Sequence, residues 1–363
     1  MVFKGSKRLG AGDFDLKIEA LGGSSNAATG FDDVHFHVLV PPEGALEALE
    51  LLLDLVLEPA LRSDAYAMER DVVLEEIAQY RDQPDEQVVQ HLLTACCSNH
   101  PYGRPILGWE ESLLASTPET MAAFHQRRYI GNNCCLVVAG AIADGLEEQI
   151  STSRLVELPG RNRMGAIDSR PSLSFQSGRT SLTVERLEAA RLLMAWPTAS
   201  ADDQRQVMGM DLATTLLAEG RRSRLVARLR EELQIVESID MDLTTLEQGS
   251  LVMLEACCPP DRTDQVEEEI RAVLTECAAA PVRDSEFDRG RQLVGNGLRF
   301  SLEAPGSMAA MTGAQALWRS AQDPLEPLNE LERWTTSDLQ MDVFKQLLPD
   351  QAFTLVALPD EDA

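Results

Sequence analysis

Residues 33–59 read DVHFHVLVPPEGALEALELLLDLVLEP, and their hydrophobic period changes once along the way. From Asp33 to about Val40 apolar and polar residues alternate with period two, the mark of a half-buried strand. Beyond Pro41 and Pro42 the run GALEALELLLDLVLEPAL carries its leucines at helical spacing. It predicts a strongly apolar helix stopped near Pro59. A strand that feeds a helix points to an α/β (α+β) chain, and the pattern continues on both sides.

Downstream, SDAYAMERDVVLEEIAQYRD is the next helix, with Ser63 or Asp64 as cap. A third helix runs through DEQVVQHLLTACC. In TPETMAAFHQRRY, Thr117 takes the cap position and Pro118 the first turn. NNCCLVVAGAI then predicts a buried strand that closes the first unit. Residues 151–175 carry Pro, Gly and Ser without long periodicity and read as a linker. The second half opens with two strand-like stretches in RTSLTVERLEAARLLMAWP. Long helices follow in DDQRQVMGMDLATTLLAE and SEFDRGRQLVGNGLRFSLE. It ends in TTSDLQMDVFKQLLPDQAFTLVALPD, which repeats the order cap, Phe-containing helix (Phe124, Phe344), turn and apolar strand. The expectation is two related units, residues 1–150 and 176–363, each a mostly antiparallel sheet packed with helices.

The 363 residues hold 59 acidic and 32 basic side chains, a net charge of −27. Such a balance argues against nucleic acid and against an anionic membrane surface as partners. No apolar run is long enough to span a bilayer, and MVFKGSKRLGAGDFD has no signal-peptide core. Six of the seven cysteines form adjacent pairs in apolar runs. Neighbours on a strand face opposite ways, so these pairs suit neither chelation nor a disulfide framework. They read as small buried hydrophobes in a reducing compartment, with the cytoplasm as the default location.

The chemistry-bearing residues are sparse. In ERDVVLEEI, residues 69–77, Glu69 and Glu76 are seven apart and share a helix face. Val72, Val73 and Ile77 look destined for a core. Either the two acids lie on a solvated face, or they sit by a buried stripe and need a cation. His35 and His37 share one face of their strand, a spacing open to zinc or to plain solvent exposure. His100, in NHPYGRP, reads as a turn residue. No catalytic Ser–His–Asp order, Walker loop or Gly-x-Gly-x-x-Gly after a strand occurs.

Six segments appear in a telling order: MVFKGS, IEALGGSSNAATGFDD, ERDVVLEEI, HPYGRPILGWEES, AFHQRRYIGNNCCLVVAG and SRLVARLREE. Together they resemble the pitrilysin/insulinase family of metallopeptidases, including its mitochondrial-processing-peptidase-like branch, over nearly the whole chain. That family's inverted motif His-x-x-Glu-His binds zinc through its histidines and activates water through its glutamate. A distal glutamate completes the ligand set. The resemblance gives Glu76 that ligand role and Glu69 the role of supporting acid.

His-x-x-Glu-His is missing from these residues; relatives carry it directly ahead of a segment like MVFKGS. The resemblance therefore implies a chain that begins after the motif, without its leading strand and motif helix. It also implies zinc for the complete protein, little zinc binding by this chain and no catalysis by it alone. Asn26 and Ala27 match an edge strand that receives extended substrate, and Arg224 matches a substrate-contacting arginine. Glu237 stands where relatives carry tyrosine. The expected substrate is unfolded peptide. The expected partner is a related subunit, in a homo- or heterodimer, that completes a clam-like chamber. The alternative is a non-catalytic partner subunit of a heterodimeric processing peptidase.

Overall fold

The computed structural model describes residues 1–159, 171–318 and 321–360. Residues 160–170 of the expected linker lie outside them. The elements that matter below are α1 (Asp13–Ala20), β1 (Ser24–Thr29), β2 (Val34–Leu39), α2 (Ala45–Leu57), α3 (Ser63–Arg81) and α4 (Pro84–Cys96). They continue with α5 (Glu110–Ala115), α6 (Pro118–Arg128), α7 (Leu146–Ser151), α8 (Arg154–Glu157), β3 (Gly178–Val184), β4 (Ala190–Thr198) and α9 (Gln204–Ala218). After these come β5 (Ser238–Thr244), β6 (Ser250–Cys258), α10 (Thr263–Ala279), α11 (Asp284–Glu303), α12 (Pro305–Leu317) and β7 (Phe353–Pro359). The fold is mixed α/β, as the alternating pattern implies.

Two compact units share the chain. The first comprises Met1–Gln79, Ile106–Ser169 and Leu302–Gln322; the second comprises Tyr80–Pro105, Arg170–Ser301 and Asp323–Ala363.

In the first unit α2 is the organising helix. Ala48, Leu51 and Leu55 meet Phe14 and Ile18 of α1, while Leu49 and Leu53 pack with Leu146 of α7. A helix apolar on more than one side must be covered on more than one side, and this one is. Its single buried acid, Asp54, accepts from Ser6 Oγ, from Arg8 Nε at 2.8 Å and from Arg154 Nη1 at 2.8 Å. One carboxylate thus ties the amino-terminal segment and α8 to α2. β1 and β2 pair antiparallel, Asn26 opposite His37 and Ala27 opposite Phe36. Phe36 turns toward Phe3, whose ring also meets Phe14. Thr117 caps α6, as its sequence predicts, and Thr120 completes a capping box by bonding back to it.

One expected strand is absent. Cys134–Ala139 follows no ladder, Cys135 is exposed and Cys134 only half-buried. Strand propensity needs a neighbouring strand to bond with, and among the described residues none lies alongside this segment. The other five cysteines are buried, and all seven are free thiols.

The second unit holds a five-stranded sheet in the order β3-β7-β4-β6-β5, with β3 and β7 parallel and the other pairs antiparallel. β4, ARLLMAWPT, is buried along most of its length, the signature of a strand covered on both faces. Trp196 donates its indole N–H to Leu348 O at 3.1 Å. Trp334 packs so closely on α9 that a Cβ at Gly209 would lie 2.3 Å from its ring. The turn after α4 is pinned here too. His100 is buried, with Nε2 3.1 Å from Pro171 O, and the Tyr102 hydroxyl accepts from Gln248 N at 3.0 Å.

Candidate functional site

α3 carries the acid pair, and its surroundings correct one expectation. Only Tyr66 and Ile77 are buried on this helix. Val72 is 53 % exposed and Met68 68 % exposed, and Val73 is half-buried. The stripe shared by Glu69 and Glu76 is therefore not a core stripe: Val72 and Glu76 are exposed, and Glu69 is half-buried. Spacing alone told which residues share a face; burial depends on what packs over that face, and no periodicity encodes that.

Glu69 is half-buried and engaged. Lys4 Nζ lies 2.9 Å from Oε1, and the Met1 amino group 3.5 Å from Oε2. Burial pushes the carboxyl upward, but the Lys4 ammonium and the amino terminus outweigh it and hold it below the ordinary glutamate value. Sequence reading missed Lys4 as the partner. Its only trace is a single positive charge in MVFKGS, 65 residues from the acid.

β1 presents the candidate peptide edge. Ala27 N–H donates to Asn26 Oδ1 at 2.8 Å rather than to β2. In an antiparallel ladder, alternate residues direct their amide groups outward, so Ala27 faces the outer side of the strand. Asn26 and Ala27 thus form one local unit on that edge.

Arg224 lies in the second unit, just ahead of a π-helical turn, Val226–Glu232. Its guanidinium is held by Glu286 at 3.0 Å and by Cys277 Sγ at 3.2 Å. Glu286 also accepts from Arg283. Burial raises the Glu286 carboxyl, but donors from Arg283 and Arg224 prevail and bring it to about 2. No spacing rule links residue 224 to residue 286, so this pairing was not legible. Glu237 accepts weakly from Cys257 Sγ at 3.7 Å.

Do these residues fit zinc? A catalytic zinc takes three protein ligands, commonly with histidine among them. Among the described residues no three His, Cys, Asp or Glu side chains come together as a metal site. The acid pair on α3 has no histidine beside it, and Glu69 already has a cation of the chain's own. The donor set present does not fit the metal. His35 and His37 are exposed on β2 with stacked rings.

Residues 1–110 match the insulinase (peptidase family M16) model, and residues 116–294 match the peptidase M16 inactive domain. The chain belongs to the insulinase, or M16, peptidase family. It is similar to an uncharacterized zinc protease of Mycobacterium leprae, 27% identical over 343 residues, covering 91% of this chain and 75% of that protein. An uncharacterized zinc protease of Bacillus subtilis, YmxG, is 24% identical over 332 residues, covering 91% and 80%. Among solved structures, a protease from Helicobacter pylori superposes with a TM-score of 0.87 at 21% identity, covering 99% of this chain and 87% of that one. The M16 family thus accounts for the mixed α/β fold. No helix among the described residues is long and apolar enough to cross a membrane.

Proposed function

We propose that this chain grips extended, unfolded peptide along the outer edge of β1, as a component of a zinc-peptidase system. The observation that carries the reading is the Asn26–Ala27 unit, with its outward N–H held only by the neighbouring side chain. An incoming peptide carbonyl replaces Asn26 Oδ1 on that N–H, and the freed amide turns to the peptide. Main-chain bonding of this kind gives affinity while demanding little of the peptide's sequence. The substrate-contacting role that the resemblance gives Arg224 would first require its release from Glu286.

In this reading Glu76 is a metal ligand and Glu69 its supporting acid, for a zinc ion whose paired histidines are not among these 363 residues. The chain alone does not cleave peptides, and a related subunit is its partner. A reducing, cytoplasmic setting suits its seven free thiols. A second reading, a non-catalytic subunit of a heterodimeric processing peptidase, is favoured by Glu237 in the tyrosine position and by Arg224 being already paired.

The test is a titration of a labelled unfolded peptide against the purified chain. Ala27→Pro removes the outward N–H and should weaken binding about tenfold or more. Equal affinity in that variant, with its helix content unchanged, would refute strand addition at β1.

A further inference from the structure

We propose that His35 and His37 form a two-imidazole chelate for a divalent transition ion on the exposed face of β2. The inference does not rest on the peptidase reading. Two residues apart on a strand, the side chains leave the same face. Their rings are stacked, 5.8 Å between centroids and 30° between planes, and both residues are exposed. Phe36 between them points the opposite way, its ring 6.1 Å from that of Phe3. That contact anchors the strand from below and keeps the imidazoles on the outer face.

The neighbouring strand leaves the approach open. Ala28 lies opposite His35 and Asn26 opposite His37, so no large side chain stands directly across from either imidazole. Asp33 Oδ1 lies 4.0 Å from His35 Nδ1. A small turn of the side chain would let it accept that N–H, fixing the tautomer that leaves Nε2 free to ligate. Imidazole pairs select ions such as Ni²⁺, Cu²⁺ and Zn²⁺ over Mg²⁺ and Ca²⁺. Two protein donors leave the remaining positions to water, so this is an exchangeable site, weaker than a closed four-ligand one. The net charge of −27 favours any cation approaching the chain.

The experiment is calorimetric titration of Ni²⁺ into the full chain carrying Cys135→Ser, which removes the exposed thiol as a competing ligand. One ion per chain is expected. His35→Ala and His37→Ala should each weaken binding about tenfold or more, because one imidazole no longer chelates. His91→Ala, which removes an exposed histidine on α4, should leave binding unchanged. Undiminished Ni²⁺ binding by the double variant overturns the proposal, as does an effect confined to one of the two histidines. A second readout uses the unsubstituted chain: Ni²⁺ should protect His35 and His37, but not His91, from carbethoxylation mapped by mass spectrometry. Equal labelling of all three with and without the ion would contradict the chelate.

Discussion

Lys4 Nζ stands 2.9 Å from Glu69 Oε1, a link across 65 residues between the first 3₁₀ turn and α3. The acid that family resemblance names as support for a metal ligand is, in this chain, neutralised by a lysine. A cation is indeed what makes a half-buried carboxylate tolerable there, and the chain supplies it.

Lys4→Met should therefore cost stability, but little. The lysine is 43 % exposed, so solvent screening limits the pair to about 1 kcal/mol or less. Because the Glu69 carboxyl is held below its ordinary value of 4.5, its contribution is fully present above that pH. It is lost as the pH falls through the depressed folded-state value. Denaturant midpoints measured at pH 7 and below pH 4 check this, with the variant and parent expected to converge in acid.

Glu286→Gln removes the negative charge and one of the two carboxylate oxygens shared by Arg224 and Arg283, and should destabilise the second unit by about 1–2 kcal/mol at neutral pH after screening. The folded carboxyl sits at about 2 against an ordinary 4.5, so the loss is full above pH 5 and fades as the pH drops toward 2. Urea unfolding followed by tryptophan fluorescence would measure it. An unchanged midpoint at pH 7 would remove Glu286 from the account.

Asp54→Asn strikes the first unit instead. The carboxylate is 1 % exposed and faces two guanidinium groups, so its neutralisation should cost roughly 3 kcal/mol. Limited proteolysis should open first near residues 1–10 and α8, which this side chain ties to α2. Cleavage appearing first in the second unit would be inconsistent with that role.

What the sequence disclosed follows a physical line. The period-two run ending at Leu39 and the helix Ala45–Leu57 were legible because both depend on local periodicity and on Pro41, Pro42 and Pro59. The cap at Thr117 is equally local. Ile77 of α3 is buried as its sequence predicts, but the burial of Val72 and the pairing of residues 134–139 were misread because each requires a neighbour, and strings of apolar residues do not say which neighbour arrives. The partners of Glu69 and Arg224 were invisible for the same reason. Short motifs nominate the candidate residues; their electrostatic state is set by partners no motif names.

The ligand assignment of Glu76 has its own test. A version of the chain preceded by His-x-x-Glu-His should bind about one zinc ion, and Glu76→Gln should abolish most of that binding, since three protein ligands are needed. Full metal content in the variant, read by elemental analysis, would contradict the assignment.

Hydrogen–deuterium exchange across Ser24–Thr29, with and without saturating unfolded peptide, tests the proposed peptide edge most directly. Added peptide should slow exchange at Ala27 and its alternate neighbours on β1, while the five-stranded sheet of the second unit keeps its rates. Peptide that binds yet leaves β1 exchanging at its original rate would show that the edge strand is not where this chain holds its substrate.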